Sequence, residues 1–288
     1  MKSFKYILIL VLFLGFLYFF WADALNLFSN FLRNEELFSK KSLEVTVEEI
    51  KKEISSPPPL RATKESSESF LTKSGIIAWT NIQRNNLGLP PLTENKQLDT
   101  TALMKVKDMF ENQYFAHDSP SGVTMVDLAE STGYRFIAIG ENLALGNFEN
   151  DKVVVQAWMD SPGHRANILS KKYTEIGVAV IKGTFEGEIT WIAVQEFGLP
   201  LSTCPEPSSL LKEEIKHNGA ELYKIEQELA TARQKLQKIQ PKWGSEYNRL
   251  VNEYNTLVGQ YNTLSQATKN LIDQYNSQIR EFNACINI

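Results

Sequence analysis

The rhythm of hydrophobic positions changes several times along this chain. At the N-terminus they run unbroken: Tyr6 to Ala22, YILILVLFLGFLYFFWA, carries no charge. At 1.5 Å per residue, a helix of this run covers about 25 Å, enough to cross a bilayer with slight thinning or snorkelling. Lys2 and Lys5 precede it and Asp23 follows it. The positive-inside rule then leaves the N-terminus in the cytoplasm and exports the rest. A cleaved signal peptide is the competing reading, with Ala22-Asp23-Ala24 as an A-x-A-like site. A single-pass anchor over residues 1–22 is preferred, because the run is long and its end is bulky and aromatic. Either reading makes the chain a cell-membrane or secreted protein.

Residues 23–69 are expected to form a juxtamembrane segment and linker. Ser55 to Ser69, SSPPPLRATKESSES, is read as a spacer stiffened by its prolines. From Phe70 the pattern becomes globular. Apolar residues at steps of three and four predict helices over 72–86, 96–113, 124–131 and 151–160. Two β-branched and aromatic runs follow, EIGVAVIKG and EITWIAVQEFG, and GTFEGE between them reads as a hairpin turn. Helices on both sides of a small sheet make an α+β domain over residues 70–200. Beyond Cys204 the steps of three and four return. Leu222, Ile225, Leu229, Ala232, Leu236 and Ile239 are followed, past Pro241 and Gly244, by Tyr247, Leu250, Tyr254, Leu257, Tyr261 and Leu264. That seam predicts a coiled-coil antiparallel hairpin over residues 201–288.

Composition narrows the function. The formal net charge is −4, which argues against nucleic acid as a partner. Two cysteines exclude a disulfide-rich scaffold and a four-cysteine zinc site. Two of the chain's three histidines fall in the middle domain. His117 in FAHDSPSG, Glu141 in IGENLALG and His164 in DSPGHRANIL each read as part of a glycine- or proline-bearing turn. Two imidazoles and a carboxylate form a frequent first shell for Zn²⁺ or another divalent ion, and can also move protons. Each residue alone also has an ordinary structural use. The spacing carries no H-E-x-x-H signature.

The stretches TNIQRNNLGLPPL, FAHDSPSG, GYRFIAIGENLALG, VVQAWMDSPGHRANIL, YTEIGVAV and WIAVQEFG resemble the bacterial branch of the CAP superfamily (cysteine-rich secretory proteins, antigen 5, pathogenesis-related 1; also SCP domains). The resemblance implies an α-β-α sandwich with a large cleft holding two histidines and two acidic residues. It places His117, Glu141 and His164 there, with Asn142 of the GEN motif and Asn167 of GHRAN beside them. The second acidic residue has no clean match; Asp160 or Ser161 falls near it. Family members are described as lipid or sterol binders, divalent-metal binders and occasionally proteases, so no single activity follows.

The expected function is a cell-surface binding module for a divalent cation, with Zn²⁺ as candidate, or for a small amphiphile. Two alternatives are a metal-dependent hydrolase of envelope peptides or lipids, and a structural envelope protein with a protein partner on the hairpin. An enzyme is the less favoured class, since G-x-S-x-G, H-E-x-x-H and a P-loop are all missing from the sequence. The hairpin's nearly equal arms bring Cys285 back toward Cys204, and export permits a disulfide between them. Two free thiols are the alternative.

Overall fold

The computed structural model describes residues 46–287. The anchor expected at Tyr6–Ala22 and most of the juxtamembrane segment lie outside the described residues. Among those described, no helix is long and apolar enough to cross a membrane. The chain divides into two units: Glu48–Glu206 with Phe282–Ile288, and a helical unit that includes Pro207–Glu281.

The first unit is a six-stranded sheet between two layers of helices. Its strands are β1 (Glu53–Ser55), β2 (Leu60–Arg61), β3 (Thr93–Glu94), β4 (Phe136–Leu145), β5 (Glu175–Phe185) and β6 (Glu188–Pro200). The order is β1-β4-β6-β5-β3, with β2 also on β4. The β5–β6 hairpin turns at Glu186-Gly187, both at positive φ, and β4 runs antiparallel to β6. The helices are α1 (Lys73–Asn85), α2 (Lys96–Asn112), α3 (Met125–Ser131), α4 (Asp151–Asp160) and α5 (Pro162–Ile168). Their starts carry side-chain caps: Thr72 on α1, Asn95 on α2, Thr124 with Asp127 as a capping box on α3, and Asn150 on α4.

Alternation along the strands sorts the layers. Ile76 of α1, Val154, Val155 and Trp158 of α4, and Ile168 of α5 pack with Ala144, Ile176, Val178, Ala193 and Phe197. On the opposite face Ala102, Val106 and Met109 of α2 pack with Leu143, Ala179, Ile192 and Val194. Leu98 and α3 continue that layer against Phe136 and Ile139.

Three local expectations fail here. The segment around His164 is no turn but helix α5. The segment around Glu141 is no turn. It is the central part of β4, all ten residues of which are buried. Nor is Ser55–Ser69 a free spacer. β1 and β2 pair in parallel with β4, and Ala62 and Ser66 donate their amides to Leu145 O and Asn147 O. Prolines cannot extend a ladder, but the residues flanking them can.

In the helical unit, α6 (Ser209–Lys238) and α7 (Ser245–Ile286) are separated by a turn containing Pro241 and Gly244. Leu222 and Leu229 pack with Tyr261, and Ile215 packs with Ile272, Tyr275 and Ile279, so the helices run antiparallel. The Tyr261 hydroxyl donates to Glu226 Oε1.

Candidate functional site

Two acidic side chains meet inside the sheet. Glu141 on β4 is the register partner of Glu196 on β6, so both point to the α2 face. Each is fully buried. Burial first, and the charge of Glu141 next, push the Glu196 carboxyl well above the usual range. As two carboxylates the pair would present acceptors alone, which disfavours the charged form of Glu196. On the opposite face the adjacent pair is neutral. Asn142 Nδ2 donates to Gln195 Oε1 at 3.1 Å, and Gln195 Nε2 donates to Thr80 Oγ1 at 2.7 Å.

His117 reaches Glu141 from the loop after α2. Its Nδ1 lies 2.6 Å from Glu141 Oε1, and its Nε2 meets the carbonyl of Pro57. A carbonyl can only accept, so Nε2 carries hydrogen. The Nδ1 contact then holds one further proton, on the ring or on the carboxyl. Lys105 of α2 fixes this loop: its buried ammonium donates to His117 O and to Tyr114 Oη. Burial lowers the Lys105 pKa, while Glu141 and Glu196 pull it back up.

His164 comes from α5. Pro162 starts this helix, and Ser161, the residue before it, faces His164 Nδ1 at 2.8 Å. Burial, then the nearby His117 charge, lower the His164 pKa to about 4, so the ring is neutral at pH 7. Asn167, one turn on, donates to Asn142 Oδ1 at 3.0 Å. Arg84, fully buried on α1, holds the end of α5 by donating to Ile168 O and Ser170 O, each at 2.8 Å.

His117, Glu141, His164, Asn142 and Asn167 thus belong to one connected region. Asp160 does not. It is exposed and accepts from Gln156 at 2.8 Å, because the last turn of α4 directs it outward. Sequence reading missed Glu196, Lys105 and Pro57. Glu196 left one signal, a carboxylate that follows Ile192 and Val194 at alternate, inward positions of β6. His117 has both nitrogens engaged and so lacks a free lone pair for the expected metal role. Among the described residues, no group of three or more His, Cys, Asp or Glu is arranged to hold a metal ion. Four atoms of the region are buried without a hydrogen-bond partner: Glu141 Oε2, both carboxyl oxygens of Glu196 and His164 Nε2.

Away from this region, Cys204 and Cys285 form a disulfide with Cα atoms 5.6 Å apart. Phe282 and Ile286 lie with Cys204 in the main core of the α/β unit.

Residues 78–197 match the family model described as CAP, cysteine-rich secretory protein family. The uncharacterized protein YkwD of Bacillus subtilis is 38% identical over 107 residues, which are 37% of this chain and 41% of that protein. The uncharacterized membrane protein YlbC of the same organism is 34% identical over 105 residues, covering 36% and 30% of the two chains. The chain therefore spans less than half the length of these curated relatives. Among solved structures, an extracellular protein containing an SCP domain from Bacillus anthracis is 32% identical with a TM-score of 0.38, covering 44% of this chain and 39% of that one. The family model and the relatives support a CAP domain, also called an SCP domain, over residues 78–197.

Proposed function

We propose that this chain is an exported, membrane-anchored binding protein whose CAP domain takes up a divalent cation at Glu141, Glu196 and His164. One observation carries the reading: the four partnerless buried atoms on these three side chains. A buried acceptor left without a donor costs about 1–3 kcal/mol. A cation drawn in among these side chains would relieve that cost at each atom it reached. Imidazole nitrogen and carboxylate oxygen are a donor set suited to Zn²⁺. Ser161 on His164 and Asn167 on the Glu141 carbonyl favour an ion over an amphiphile at this point. Export is supported by the apolar run Tyr6–Ala22 and by the description of a similar protein as a membrane protein. In this reading the antiparallel pair α6–α7 serves as a coiled-coil arm for a protein partner.

Calorimetric titration of Zn²⁺ into the full chain in detergent tests the proposal. Binding should release a proton as Glu196 ionises, so the heat should vary with the buffer's ionisation enthalpy. Glu196→Gln and His164→Ala should each abolish the saturable heat. Isotherms unchanged in both variants would refute it.

A further inference from the structure

The approach to this region is covered by the chain itself. Ser55 at the end of β1 pairs with Gly140, and Leu60 at the start of β2 pairs with Ala144. Between these points the outer segment takes one residue more than β4, and so it bulges. The bulge is Ser56-Pro57-Pro58-Pro59. Its prolines have no amide hydrogen, so they donate nothing to β4. Asn167 fills in from the side, with Nδ2 at 3.4 Å from both Ser55 O and Glu141 O. Pro57 is buried. Its carbonyl occupies His117 Nε2, and its ring lies against Gly163 so closely that a Cβ added there would sit 2.7 Å from Pro57 Cβ.

We infer that Ser56–Pro59 is a lid: it closes the polar region by capping His117, and ligand entry requires it to lift. The observations fit a segment that opens by itself. It is flanked by parallel strands of three and two residues and has no ladder of its own. Elements with so few backbone hydrogen bonds open locally at low free energy. The prolines restrict the freedom of the bulge when it is released, which favours reclosure. Lifting removes the acceptor from His117 Nε2 and leaves that nitrogen able to turn toward a ligand. The inference rests on the binding reading, because it adds regulation to the same site.

The test uses the full chain and two variants. In one, Pro57, Pro58 and Pro59 are all replaced by Gly. In the other, Gly163→Ala puts a methyl group against Pro57, and Ala is well tolerated in a helix. Circular dichroism checks that both fold. Two readouts are independent of any ion: amide exchange of Ser55, Ser56 and Leu60, and the imidazole Nε2–H resonance of His117. In both variants exchange should accelerate and the His117 resonance should broaden into solvent exchange. Zn²⁺ should bind roughly tenfold tighter or more, since the competent fraction rises. Faster exchange with unchanged Zn²⁺ affinity would overturn the lid, as would protected amides and a persistent His117 resonance in both variants. If His117 is freed but Zn²⁺ binds no form, the lid stands on its own readouts and the cation reading fails.

Discussion

Glu141 and Glu196 face one another across the β4–β6 ladder, both at zero exposure. Burial, and then the charge of Glu141 in a medium that screens it poorly, raise the Glu196 pKa well above its ordinary value. A sheet interior is an expensive position for such a pair.

This pair makes stability depend on pH in a defined direction. The folded-state pKa of Glu196 lies above its ordinary value of 4.5, so the native state holds a proton that the unfolded chain releases. The contribution is complete below that ordinary value and is lost as pH rises toward the folded pKa. Glu196→Gln stays neutral throughout. Its urea midpoint relative to the wild type should therefore improve steadily between pH 4 and pH 8 in metal-free protein. A difference that is constant with pH would contradict the assignment.

His164 moves in the other direction. Its folded pKa of about 4 lies below the ordinary 6.5, so its contribution is complete above 6.5 and is lost as pH falls through the folded value. In metal-free protein, the His164 ring signals in NMR should stay in their neutral positions down to about pH 5. A titration midpoint near 6.5 would show that the ring is solvated.

Arg84 is expected to be a stability hot spot although it meets no carboxylate. Its guanidinium ties Pro90 O, Ile168 O and Ser170 O together. Arg84→Leu leaves three carbonyls without that donor, and should destabilise the protein by about 3 kcal/mol in urea denaturation. A loss below about 1 kcal/mol would mean that water replaces the guanidinium.

The Cys204–Cys285 bond closes a loop with a sequence separation of 81. In the chain-entropy model such a closure stabilises by about 4 kcal/mol. Reduction should lower Tm clearly, and intact mass under non-reducing conditions should show no alkylatable thiol. Two thiols that alkylate in freshly purified, unreduced protein would refute the bond.

Helices were the legible part of this sequence. The readings for 72–86, 96–113, 124–131 and 151–160 lie within one or two residues of α1 to α4, because each combines a capping residue with apolar steps of three and four. The β5–β6 hairpin was equally plain. β4 was hidden, since Gly140, Glu141 and Asn142 at its centre imitate turn composition. A strand with buried polar groups on both faces has no alternation to read. His117, Glu141 and His164 stood out as chemistry-bearing residues, whereas Glu196 was masked by the apolar residues on either side of it in sequence, such as Val194 and Phe197. Asp160 was misplaced because the rotation of the last turn of α4 is not evident from spacing. The triple proline read as a spacer by composition, and only the pairing of its flanks with β4 shows where it lies.

The central claim is that Glu141, Glu196 and His164 form a cation site beneath Pro57. The most direct measurement is anomalous diffraction at the zinc edge from crystals of the protein grown with Zn²⁺. The account predicts a peak within bonding distance of a Glu141 or Glu196 oxygen and His164 Nε2, with the Pro57 carbonyl moved away from His117. A fully occupied zinc elsewhere on the surface, with this region unchanged and Pro57 still on His117, would contradict it.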